Sequence, residues 1–220
     1  MPNNRKRLPS ADERRSPLLI SGLVAALLFN SLVLAQAVIR PEYDLVRMPL
    51  SLLALGHGGW VQTLNFVITG FLIMAAAIGV RATRSPGTGN LAGPVLLAFY
   101  GAGMAVAGFF PADPINGFPV GAHATPALTA NAQLHGFGFM VAHLAVIIAS
   151  LVFAFRFWRL SRKGWAAYCV ITALGVPLLI VLGFASEEIR GLAFFLTGIA
   201  SMSWLALLTR RLGTEAALPD

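Results

Sequence analysis

Charge is what this chain has least of. Only 11% of its 220 residues are Asp, Glu, Lys or Arg, where soluble globular domains carry about 25%. So little polar surface excludes a water-soluble domain of this length. The lone cysteine, Cys169, excludes an internal disulfide, and no Cys-x-x-Cys pair offers a structural metal site. Long alternation of apolar and polar residues is missing too, which excludes a membrane β-barrel. No Gly-x-Ser-x-Gly elbow surrounds Ser51 or Ser186, so the usual mark of an activated serine is missing.

What the chain does have is hydrophobic sequence, 57% of it, gathered into six runs at 17–38, 60–80, 91–110, 132–155, 165–186 and 192–208. About 20 apolar residues span the hydrocarbon core as a helix. In lipid a helix satisfies its own backbone, so the expected fold is all-α: a polytopic membrane protein with a bundle of six transmembrane helices. The expected organisation is a basic tail over 1–16, a six-helix domain over 17–209 and a second tail over 210–220. The chain shows no internal repeat.

The net charge of +7 does not point to nucleic acid, because the basic residues lie in short clusters between the runs. They act as topology signals and as contacts for anionic lipid. Arg5, Lys6, Arg7, Arg14, Arg15, Arg81, Arg84, Arg156, Arg159, Arg162, Lys163, Arg210 and Arg211 fall on one side. Arg40, Arg47 and Arg190 fall on the other. Thirteen against three puts both termini in the cytoplasm of a multi-pass cell-membrane protein. Trp60 on the outer side, and Trp158, Trp165 and Trp204 on the inner, fit interfacial belts. Leu34-Ala35-Gln36-Ala37 resembles a signal-peptidase site, but the apolar stretch before it is too long for a signal peptide, so the first helix is retained.

Two outer loops hold the unusual residues. In 40–59, Pro49 starts and Gly56 ends a short apolar stretch that reads as an interfacial or re-entrant segment packed on the bundle. In 111–130, Pro111-Ala112-Asp113-Pro114, Asn116-Gly117, Pro119 and Gly121 mark turns. Gln62, Asn65 and Thr69 share one face of the second helix. His135 opens the fourth helix, and His143 lies deeper. These side chains suit helix-to-helix hydrogen bonding as well as ligand binding. Asp113 equally suits an Asx turn, and Glu187, Glu188 and Arg190 a solvated turn. The expected site is one outward-facing polar pocket formed by Gln62, Asn65, Asp113, His135 and His143, with Asp113 and His135 satisfying each other.

No cofactor is expected. Zinc would need His135 and Asp113 joined by His57 or His123. His135 and His143 lie about 12 Å apart along a helix and about 80° around it, so they cannot share one ion. Haem would need two deep histidines on facing helices, and only His143 is deep. Gly101, Ala105 and Gly108, and Gly138, Ala142, Ala145 and Ala149, form stripes for close helix packing. Pro177 should kink the fifth helix.

Gly56-His57-Gly58-Gly59-Trp60 leading to Gln62 and Asn65, then Phe109-Phe110-Pro111-Ala112-Asp113-Pro114, Gly117-Phe118-Pro119 and Gly121, and Leu134-His135 together resemble a six-helix prokaryotic membrane family catalogued as a domain of unknown function (DUF number 998). The resemblance runs from the first helix to Leu212 and implies a fold and a membrane location, without an activity. The turn Glu187-Glu188-Ile189-Arg190-Gly191 matches that family's Arg-bearing turn only loosely. Function therefore rests on the pocket: a non-enzymatic module binding a lipid headgroup, a small solute or a partner, which could be another membrane protein or a second copy. The alternatives are an intramembrane hydrolase of lipid-like substrates and a small-molecule transporter, though the lack of an inverted repeat counts against transport.

The charge bias makes a direct prediction. In intact cells a membrane-impermeant maleimide should label a cysteine placed at His123 and leave one placed at Pro219 unlabelled. The reverse pattern would overturn the orientation.

Overall fold

The structure is a computed structural model and describes residues 11–83, 91–115, 117–123 and 127–216, with side chains from residue 17 onward. Arg5, Lys6, Arg7, Arg84, Asn116 and Pro219 lie outside the described residues. Six helices long and apolar enough to cross a membrane appear among the described residues, and no strand accompanies them. They are α1 (Ala11–Ile39), α2 (Trp60–Ala82), α3 (Ala92–Phe109), α4 (Ala130–Arg159), α5 (Lys163–Ala185) and α6 (Arg190–Ala216). This is a multi-pass membrane protein.

Each helix packs on its neighbours in sequence, and α1 closes on α6, so the bundle is a ring. Small residues set its tightest seams. A Cβ on Gly70 would lie 2.5 Å from the Gly101 carbonyl oxygen, and one on Gly103 would lie 2.5 Å from that of Gly138. One face of α3 therefore meets α2, and the opposite face meets the small-residue stripe of α4. Without a hydrophobic drive between helices in lipid, such close backbone approach supplies the dispersion contacts that hold them.

The α1–α2 seam is held differently. Gln36 donates to Gln62 Oε1 at 2.8 Å, and Asn65 donates to Gln62 Oε1 at 3.2 Å and to the Phe29 carbonyl at 3.1 Å. Thr69 donates to Asn65 Oδ1 at 3.4 Å. Gln62, Asn65 and Thr69 are fully buried.

The helices outrun the apolar spans at the end that holds both termini. α6 continues through the expected tail to Ala216, where Glu215 accepts from Arg156 at 2.9 Å and from Arg211 at 3.1 Å. Trp204, expected in an interfacial belt, is fully buried, and its indole N–H donates to Cys169 Sγ at 3.4 Å. A buried indole needs a partner for its N–H, and the sulfur supplies it. Trp60 and Trp158 are exposed. α5 passes through Pro177 as one continuous helix.

At the opposite end, hereafter the distal end, the two long loops interlock. Residues 40–59 fold back as a short 3-10 helix, Leu50–Ala54, that buries Leu50, Leu52 and Leu53. Arg40 donates to the Leu53 carbonyl at 2.9 Å and to that of Leu55 at 3.0 Å, and its guanidinium lies 4.6 Å from the centre of the buried Phe118 ring. Tyr43 meets Phe118 edge-on and donates to the Met48 carbonyl at 2.7 Å. Burial first, and the Asp44 charge second, hold its phenol well above the usual range, so it remains a donor.

Two glycines test this account by contrast. Gly103→Ala should cost about 1–3 kcal/mol, because the new methyl meets backbone. Gly175→Ala, where an added Cβ meets nothing within 4 Å, should gain about 1 kcal/mol from helix propensity. Thermal unfolding in detergent reads both, and equal effects would refute the close-packing argument.

Candidate functional site

The ring encloses a cavity of about 430 Å³ that begins at the distal end. That volume falls in the range of small-molecule sites, about 300–1,000 Å³. All six helices, the 3-10 segment and the α3–α4 loop contribute to its walls. Arg190 and Met202 both line it. They lie twelve residues apart on α6, so the cavity follows that helix for about 18 Å. Its deeper wall is mostly apolar, with Phe29, Met104 and Met202, and carries two polar side chains, Tyr100 and His143. Polar side chains gather toward the mouth: Asp113, His135 and Arg190.

Each of these polar side chains is placed by a helix end. The last carbonyls of a helix have no partner within it. His135 supplies one for α3: its Nδ1 lies 2.9 Å from the Ala107 carbonyl and 3.0 Å from that of Phe110. Carbonyls only accept, so Nδ1 carries the proton, and in the neutral ring Nε2 is the acceptor. Asp113 works at the start of α4. Its carboxylate accepts from the Thr129 backbone N–H at 2.9 Å and from the Thr129 hydroxyl at 2.7 Å. Thr129 Oγ1 in turn accepts from the Ala132 N–H at 3.2 Å, which makes it the N-cap of α4. Arg190 serves α5, donating from Nε to the Gly183 carbonyl at 3.2 Å and from Nη2 to Glu187 at 3.3 Å.

Deeper in the cavity, His143 donates from Nδ1 to the Phe139 carbonyl at 2.9 Å. Its ring lies 4.1 Å from that of Phe139. Phe139 also meets Phe194 at 5.7 Å and Phe184 at 6.4 Å, and those two meet at 5.2 Å. This aromatic group forms the α4–α5–α6 wall.

The arrangement differs from the sequence expectation in three ways. Asp113, His135 and His143 are all in the lining of this cavity, whereas Gln62 and Asn65 lie outside it and bond to α1 and within α2. Asp113 and His135 bond to Thr129 and to carbonyls rather than to each other. Arg190, expected in a solvated turn, lines the cavity with its side chain 19% exposed. The signal for Arg190 was present, since an arginine beginning an apolar span is one of only three cations on its side of the chain. The Phe184–Phe194 pairing had no such signal, because it depends on the rotation of α5 and α6 about their axes, and Phe195 next to Phe194 faces another way. His57 and His123 are exposed and outside the lining. Among the described residues, no group of three His, Cys, Asp or Glu side chains could hold a metal ion.

A family model described as "Protein of unknown function (DUF998)" matches residues 23–211. The chain belongs to that family. No curated protein and no solved structure matches it.

The Asp113–Thr129 cap carries its own prediction. Thr129→Ala should destabilise the protein by about 1–2 kcal/mol, because it removes the cap and one of the donors to a carboxylate. Thr129→Ser, which keeps the hydroxyl, should recover most of that loss. Chemical unfolding in mixed micelles would show it, and an Ala variant as stable as wild type would refute the capping role.

Proposed function

We propose that this DUF998 protein is a binding module of the membrane that holds one lipid-like amphiphile, its chain inside the bundle and its head at the distal mouth. The single observation that carries this reading is the division of the cavity: a mostly apolar shaft a little over half as deep as the ~30 Å hydrocarbon core, with Tyr100 and His143 as its polar side chains and with the charged side chains, Asp113 and Arg190, at one end. A soluble polar solute would find only Tyr100 and His143 as polar side chains along the shaft. A hydrocarbon chain matches it, held by dispersion contacts with the shaft wall, since a chain arriving from lipid brings no transfer from water. The basic bias of the sequence puts the mouth at the outer leaflet and the termini in the cytoplasm of a cell-membrane protein.

Binding without turnover is favoured because Asp113 and His135, the pair a hydrolase would use together, bond to Thr129 and to the α3 carbonyls rather than to each other. No observation singles out the transporter reading.

Gly198 provides the test. It lines the cavity, and a Cβ there would meet only Phe29 at 3.4 Å and Leu50 at 4.0 Å. The position therefore accepts a side chain, and a large one fills the shaft. Wild-type protein purified in a mild detergent should release an amphiphile on solvent extraction, near one per chain by mass spectrometry. Gly198→Phe should release about tenfold less while unfolding at or above the wild-type temperature. Equal lipid in both proteins would overturn the proposal.

A further inference from the structure

We infer that the head of this amphiphile is an oxyanion, a carboxylate or a phosphate, and that Arg190 is the residue that reads it. The inference rests on the chain-binding reading above and adds the chemistry of the head. Among the described residues, Arg190 is the only lysine or arginine in the cavity lining. A guanidinium has five N–H donors in a planar fork that matches an oxyanion two at a time. Two of Arg190's donors are engaged, at Gly183 and Glu187, and Nη1 has no partner among the described residues.

The partners themselves leave room for a ligand. The Gly183 carbonyl holds the guanidinium by Nε alone, which fixes its position without covering the fork. Glu187 reaches Nη2 at 3.3 Å, but its side chain is 77% exposed. An exposed ion pair of that kind contributes little, so an incoming anion displaces Glu187 at small cost.

A cationic head would have to draw on Asp113, the acid in the lining, whose carboxylate is held at the start of α4 by the N–H and the hydroxyl of Thr129. Of the other two arginines on this side of the chain, Arg40 is buried against the Leu53 and Leu55 carbonyls and Phe118, and Arg47 is outside the lining. The mouth therefore offers its open donors at one point.

Native mass spectrometry of the full-length protein in a neutral oligo-oxyethylene detergent tests the inference. The probes are dodecyl phosphate, laurate, dodecyl maltoside and dodecyltrimethylammonium, with inorganic phosphate as a chain-free control. Wild type should bind the two anionic amphiphiles about tenfold or more tighter than the other two, the usual reach of a charge-assisted hydrogen bond. Arg190→Gln should erase that preference while retaining dodecyl maltoside, and Arg190→Lys should keep part of it. Glu187→Gln, a change at an exposed position that leaves the fold alone, should strengthen anion binding several-fold and keeps the test decisive if Arg190→Gln fails to fold. Wild type that binds all four heads alike would overturn the head assignment and leave the chain reading standing, as would Glu187→Gln with unchanged anion binding. Inorganic phosphate binding as tightly as dodecyl phosphate would replace it with a free-anion site. Binding of no dodecyl compound would overturn the chain reading itself.

Discussion

A backbone in hydrocarbon must satisfy every N–H and C=O within the protein, and the rest of this structure depends on how that is done. Along each span the helix does it unaided. At each helix end up to four donors or acceptors are left over, and side chains must meet them where water is scarce. His135 meets the end of α3, Asp113 and Thr129 the start of α4, and Arg190 the end of α5. Arg40 does the same for the folded-back segment. The polar mouth of the cavity is thus assembled from capping groups, and its chemistry is a by-product of closing the helices.

Packing decides where the empty space falls. Glycine and alanine bring α2, α3 and α4 into backbone contact, and the amide ladder fastens α2 to α1. Those seams leave no room between helices. The α4–α5–α6 side is built instead from phenylalanine rings meeting edge to face at 5–6 Å. Such rings hold helix backbones apart. A ring of six helices with one tight arc and one aromatic arc cannot fill its own centre, and the cavity lies against the aromatic arc.

This division explains what could be read in the sequence. The six spans were legible because apolar length is a local property, and the α4 stripe from Gly138 to Ala149 was legible because helical spacing shows it directly. The distal placement of Asp113 and His135 was legible in the same way, because residue number fixes depth within a span. What was not legible depends on rotation about the helix axis. Gln62 and Asn65 sit at the same depth as the mouth, yet their face of α2 turns toward α1. Trp204 sits at interfacial depth but turns inward to Cys169. Asp113 and His135 were expected to pair because both are ionisable and near in depth. The stronger demand came from uncapped backbone, which took them one by one.

Arg190 joins the two sides of this account, because one guanidinium both closes α5 and faces the cavity. Its Nε bond to Gly183 orients the fork, and an oxyanion seated on the remaining donors would hold the same guanidinium from the other side. Ligand and cap then restrain one side chain in one position, so each favours the other. By linkage, occupancy of the cavity stabilises the folded bundle by an amount that grows with ligand concentration over its dissociation constant. The part most affected would be the α5–α6 turn, where an arriving anion would take the place of Glu187 on Arg190.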